Sequence, residues 1–353
     1  MGYSKLARFP SSEGQRVTGP CLLLRHDKAG DAIKSLPALR ALRERLPETE
    51  LHLLVSTHNA SVFEREPGFQ VHALPSHWQL LKPEVLRAHL GHSGMPSAFS
   101  RVVSLLCDSF AETDQLLTLL RATEKYAAGV VDRSLVEQVN LLKLPRNSPA
   151  KRDESLNIAL LLSQAFDVDL DSAVKTAARA PHLSAEDTRE AETLMGEKHG
   201  PWLGFCPFAG LKNRSHPVSR WEAFLPQATR SPVVDRFFLF GAPADCRNLE
   251  RLRDKCYHPD KVQICFPSSF RTLGAYLLRL NGVVAVDSGP LHLARALGVR
   301  SLGILSGGDA ERWFAAAAPG DEILHRGFFQ RFPSAIEMTW AFRRWLKPSF
   351  GQA

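Results

Sequence analysis

The chain has 353 residues, 44% of them hydrophobic and 23% charged, with a formal net charge of +7 and a pI near 9.2. That length exceeds one comfortable core and asks for about two domains, and no apolar run approaches the roughly 18 residues of a membrane span. The basic balance suggests an anionic partner: nucleic acid, a membrane surface or a phosphorylated substrate.

The opening "MGYSKLARFPSSEGQRVTG" lacks the apolar centre of a secretory signal. The cysteines at 21, 107, 206, 246, 256 and 265 form no C-x-x-C pair and have no histidine at ligand spacing, so reduced thiols are expected rather than disulfides or zinc. Both features fit a cytoplasmic protein.

Short apolar runs then alternate with amphipathic stretches, the mark of βα units around parallel sheets. Strands are expected at 21–24, 51–55, 71–74, 102–106 and 126–131, with the clearest helices at 32–46 and 111–122. Pro37 should kink the first helix rather than end it, because helical spacing resumes beyond it. A polar, charge-mixed connector covers 167–200 and holds one helix, 185–198, opened by a Ser184 cap.

A second series follows, with strands at 202–206, 237–240, 262–265, 283–286 and 301–305 and helices at 220–227, 244–255, 271–280 and 291–297. The tail "PSAIEMTWAFRRWLKPSF" reads as an amphipathic helix. The expected organisation is α/β: a doubly wound domain over 1–175, a second over 176–330, and a terminal helix in 331–353 packing back on the first. Two such domains put their ligand-binding loops at the carboxyl ends of their strands, and the cleft between them becomes the active site.

Three strand-end loops carry chemistry. After the first strand come Arg25, His26, Asp27, Lys28, Ala29, Gly30 and Asp31, then a helix. One acid there could be a helix cap, but two carboxylates among cations exceed what a cap needs, and Gly30 allows close approach to the backbone. The G-x-G-x-x-G and G-x-x-x-x-G-K-[ST] phosphate patterns are missing.

Later, "VVAVDSGPLHLARALGV" ends a strand in Asp287–Ser288–Gly289–Pro290 and opens a helix with His292 in its first turn, which suits an anionic phosphate. A plain capped helix explains all of this except His292. The third loop, after 202–206, carries Lys212, Arg214 and His216, three groups able to surround a diphosphate. "FGAPAD" ends another strand with Asp245, and Asp167–Val168–Asp169 is a D-x-D triplet, but in a connector rather than at a strand end. Aromatic residues interleaved with basic ones on one face, the sign of nucleic-acid binding, are not visible.

Together these stretches resemble glycosyltransferase family 9, the ADP-heptose:lipopolysaccharide heptosyltransferases and their relatives. "RHDKAGDAIKSLPALRAL" is similar to the family's N-terminal Gly-Asp motif, "VVAVDSGPLHLARALGV" to its Asp-[Ser/Thr]-Gly-x-x-His segment, and "FGAPAD" to its Gly-x-Pro-x-Glu turn. The resemblance implies a GT-B fold of two Rossmann-like domains facing across a cleft, and an inverting transfer with no cofactor and no metal. It implies Asp31 as the base, with Asp27, Arg25, Lys28 and Gly30 on the acceptor side.

On the donor side it implies Lys212, Arg214, Asp245, Ser269, Asp287, Ser288, Gly289 and His292. Arg214–Ser215–His216–Pro217 replaces the usual Lys-x-Trp-Pro, and Asp245 stands where the family has a ribose-binding glutamate. The implied partners are a nucleotide sugar, ADP-heptose, and an anionic, membrane-held glycolipid. Arg25, His26, Lys28 and "HWQLLKPEVLRAHLGHSG" would meet the acceptor's anions at the inner membrane face. A same-fold transferase for another donor and a non-catalytic sugar-nucleotide binder remain the alternatives.

Overall fold

In the computed structural model the alternating pattern becomes two parallel six-stranded sheets. Residues 18–144, 153–210, 214–306, 314, 320–325 and 332–347 are described. β1 (Cys21–Arg25), α1 (Ala29–Arg45), β2 (Leu51–Ser56), α2 (Ala60–Phe63), β3 (Phe69–Leu74), α3 (Pro83–His92), β4 (Phe99–Ser104), α4 (Ala111–Leu119), β5 (Ala122–Ala127) and β6 (Asn140–Leu141) form the first unit. Its strand order is β3-β2-β1-β4-β5-β6. Next, α5 (Glu154–Phe166) and α6 (Asp171–Thr176) lie back on α1.

The second unit holds α7 (Ala185–Met195), β7 (Trp202–Cys206), α8 (Val218–Ala228), β8 (Arg236–Phe240), α9 (Cys246–Lys255) and β9 (Val262–Cys265). It continues through α10 (Phe270–Leu278), β10 (Gly282–Val286), α11 (Gly289–Ala296), β11 (Ser301–Ile304), β12 (Glu322–Leu324) and α12 (Ala335–Leu346). Its order, β12-β11-β10-β7-β8-β9, repeats the first sheet's winding. Strands 1, 2 and 3 of each unit run one way from the centre and strands 4, 5 and 6 the other, as in the Rossmann fold.

Helices on both faces explain why the strands read as continuous apolar runs. In β1, Cys21 and Leu23 face an inner layer while Leu22 and Leu24 face α3 and α4. In β10, Val283 and Ala285 face the same inner layer while Val284 and Val286 face α8, α9 and α12. That inner layer is one apolar cluster, built from α1, α2, α5, α6, α7, α10 and α11, so the units share a core. None of the six cysteines is in a disulfide, and Cys21, Cys206, Cys256 and Cys265 are buried. No helix of the described residues is long and apolar enough to cross a membrane.

Several elements differ from expectation. α1 starts at Ala29, not 32, and runs through Pro37. β5 is "ATEKYA", Ala122–Ala127, rather than the apolar stretch at 126–131. Pairing with β4 fixes it there, and its mixed exposure hides the strand signal. The connector holds α6 as well as α7; Ser184 caps α7 in a reciprocal box with Asp187, and Gly196, at φ +75°, ends it early. β6 and β12 are too short to show periodicity.

The terminal helix is a correction. Met338, Ala341, Phe342 and Trp345 of α12 pack against α8 and the second sheet, not on the first domain.

Candidate active site

Each sheet has one point where the strand order reverses, between β1 and β4 in the first and between β10 and β7 in the second. Ligands of doubly wound folds bind outside the strand ends at that point. The loop after β1 enters α1, the loop after β10 enters α11, and the two helices pack on one another. Their first turns nearly touch. A Cβ on Gly30 would lie 2.6 Å from His292 Cδ2; one on Gly289 would lie 2.9 Å from the Phe270 ring and 3.7 Å from the Gly30 nitrogen. Only glycine lets the helix ends approach this closely.

A cleft of about 430 Å³ opens there. Asp27, Lys28, Gly30, Asp31 and His58 line it from the first unit; Arg214, Asp287, Ser288, Gly289 and His292 line it from the second, with Phe208 and Phe270. Lys28 and Ser288 stand extended at the N-caps of α1 and α11, and neither side chain caps the first turn. The Ser288 hydroxyl donates instead to Val286 O at 3.0 Å. Two positive dipole ends with N–H groups uncapped by side chains therefore meet the cleft, a setting made for phosphate oxygens.

Asp31 is not the cap. It lies in the first turn of α1 beside a buried cation, Arg25, which is 1% exposed. Arg25 donates to Leu105 O at 2.6 Å and Asp31 O at 2.9 Å; its Nε is 3.2 Å from Asp27 Oδ1 and its Nη2 is 4.0 Å from Asp31 Oδ1. One guanidinium under the cleft floor thus serves two carboxylates that reach the cleft.

Burial pushes the Asp27 carboxyl up to about 7, with Asp31 adding to the rise and Arg25 opposing it. Burial also raises the Asp31 carboxyl, against the pull of Arg25. A raised pKa makes a stronger base once ionised.

That strain predicts a pH effect. Between about pH 4 and 7 the folded chain keeps a proton on Asp27 that the unfolded chain has lost, so stability falls as pH rises through the window. Asp27→Asn removes the group, and its thermal midpoint should fall less from pH 5 to pH 8 than that of the parent. Identical slopes in the two proteins would show that Asp27 ionises without cost.

On the donor side, Arg214 Nη1 lies 3.4 Å from Asp287 Oδ2, and burial raises the Asp287 carboxyl while Arg214 opposes the rise. His292 is buried and stacks on Phe314 at 4.8 Å. Burial first, then Lys34, Arg214 and Arg295, hold the imidazole well below its ordinary pKa. It meets a ligand as a neutral ring.

Not every expected residue reaches the cleft. Arg25 lies under it, bound to the two acids, rather than facing an acceptor; His26 packs on Trp78, and burial, then Arg25, depress it to about 4. His216 is buried against Phe332 and is likewise held at about 4, by burial and then Arg220. Asp245 accepts from Ala242 N–H at 3.0 Å and closes its own turn, while Ser269 caps α10 through Thr272 N–H at 2.9 Å. Neither lines the cleft; Phe270, next to Ser269, does.

Lys212 falls outside the described residues. Asp167 is the left-handed residue ending α5, and Asp169 accepts from Asp171 N–H at 2.9 Å. Both acids of the triplet therefore serve the turn into α6. Phe208 and His58, in loops, and Phe270, the first residue of α10, also line the cleft; single aromatic residues at such places carry no pattern in sequence.

Two Rossmann-like units that meet at their switch points, over a cleft holding a carboxylate on one side and an uncapped helix end on the other, define the GT-B glycosyltransferase class. The chain belongs to glycosyltransferase family 9 (heptosyltransferase), whose family model matches residues 118–324. A family 9 glycosyl transferase from Veillonella parvula DSM 2008 is similar in fold at 15% identity and TM-score 0.69, covering 90% of this chain and 88% of that one.

E. coli heptosyltransferase WaaC with ADP superposes at 15% identity and TM-score 0.65, covering 92% and 97%. E. coli ADP-heptose lps heptosyltransferase II does so at 13% and 0.66, covering 93% and 98%. No curated protein matches the chain.

Proposed function

We propose that the enzyme transfers a heptose from ADP-heptose, with inversion and without a metal, to a phosphorylated lipopolysaccharide-core glycolipid. One observation carries this reading: Asp31 and the uncapped end of α11, with Arg214 beside it, face each other across one cleft. The diphosphate lies on the Ser288–Gly289 end of α11, where N–H groups and Arg214 offset the charge that develops as it leaves. His292 donates to it as a neutral ring. The acceptor hydroxyl approaches from the Asp27–Asp31 side, attacks the anomeric carbon opposite the departing ADP and gives its proton to Asp31.

The acceptor's membrane gives the outer rim of the first domain a use. Leu80 is 84% and Val85 49% exposed, next to Lys82 and Arg87. Apolar side chains among cations suit contact with an anionic bilayer surface from the cytoplasmic side.

A calorimetric panel should rank ADP above UDP, GDP and NAD, and turnover of ADP-heptose should survive EDTA. Tighter UDP binding would move the chain to another donor. Loss of activity on chelation, restored by magnesium or manganese, would overturn the metal-free part.

A further inference from the structure

One helical turn past Gly30 on α1 and past His292 on α11, a second cavity of about 30 Å³ lies between the two units. Lys34, Ser155, Arg179, His292 and Arg295 line it. Its walls carry unspent donors. Lys34 Nζ is 4.0 Å from Asp153 Oδ1 and Arg179 Nη1 is 3.7 Å from Asp153 Oδ2, close enough to attract but too far to hydrogen-bond.

Ser155 Oγ, on a residue 1% exposed, has no hydrogen-bond partner among the described residues. Asp153 Oδ1 already accepts from Ser155 N–H at 2.9 Å. Arg295 is directed elsewhere, to Phe314 O at 3.0 Å and Asp321 at 3.5 Å.

A water could satisfy Ser155 but would leave Lys34 and Arg179 sharing Asp153 at more than hydrogen-bonding distance, with Glu154 attracting Lys34 more weakly. A tetrahedral oxyanion accepts from the hydroxyl, the ammonium and the guanidinium together, which one water cannot do with the same charge complementarity. A single water needs ~10–15 Å³ of such space, so this cavity admits a small ion but no sugar or nucleotide. We propose that it is a binding site for a small oxyanion of the phosphate class, separate from the diphosphate position.

The site has a route to the cleft, since His292 walls both cavities. An anion behind the ring offsets Lys34 and Arg295 and favours the imidazolium, which then faces the departing diphosphate. Binding itself does not rest on the assigned donor; only this effect on the transfer does.

The test is a titration with inorganic phosphate, followed by thermal melting of the full chain saturated with ADP, so that the cleft is filled. A parallel arm uses Arg214→Ala without ADP. A saturable rise in melting temperature is expected in both, with the phosphate affinity weakened about ten-fold or more by Arg179→Gln and by Ser155→Ala. Arg179 is one-third exposed, so its replacement does not threaten the fold.

No response to phosphate in either arm, or equal affinity in Arg179→Gln and parent, overturns the site. Should ADP fail to bind, the donor assignment falls, and the Arg214→Ala arm still decides this one.

Discussion

Asp31→Asn is expected to lower kcat by ~10²- to 10⁴-fold, the usual worth of general-base assistance, with ADP affinity nearly unchanged. The substitution keeps shape and removes only the ability to take a proton. It costs no cap, because Lys28 holds the N-cap position and Asp31 lies inside the first turn. Nor does it cost stability through charge: burial raises the Asp31 carboxyl, so the ionised form is the strained one. Steady-state turnover, ADP calorimetry and a melt on one preparation separate chemistry from folding. Normal turnover in the variant would remove Asp31 from the mechanism.

Arg25→Met should be the most destabilising single change near the site. It leaves Asp27 and Asp31 buried without their counter-ion and removes the guanidinium donor from Leu105 O and from Asp31 O, which keeps its bond from the Ser35 hydroxyl. Breaking a buried pair this way costs ~3–5 kcal/mol. The cost depends on pH, because Arg25 is the partner that holds both carboxyl pKa values down. Without it they rise further, and protonation at low pH relieves the unpaired charge. Denaturant melts should show a large loss at pH 8 and a smaller one at pH 5; an equal loss at both would mean that Arg25 contributes through packing and its carbonyl bonds alone.

The legible parts of the site were those written in one local stretch. Asp31 and Asp287–His292 each sit where an apolar strand gives way to a helix, and both reached the cleft. Arg25, expected on the acceptor side, is buried and donates to Leu105 O, a neighbour supplied by the far side of the switch point. A strand-end arginine in sequence does not reveal that the next strand in space will cover it.

Ser269, which the family resemblance puts on the donor side, has its hydroxyl spent on Thr272, and the aromatic beside it, Phe270, lines the cleft. The fold was easier, since buried parallel strands announce themselves by apolar runs. It failed at β5, β6 and β12, where strands are polar or very short and the neighbour's pairing decides.

The account turns on one placement, the diphosphate on the α11 end facing Asp31, and a crystal structure of the chain with ADP tests it most directly. The account predicts diphosphate oxygens within hydrogen-bonding reach of the Gly289 N–H, Arg214 and His292, with the terminal phosphate directed at Asp31. ADP seated away from α11, with its terminal phosphate turned from Asp31, would contradict it.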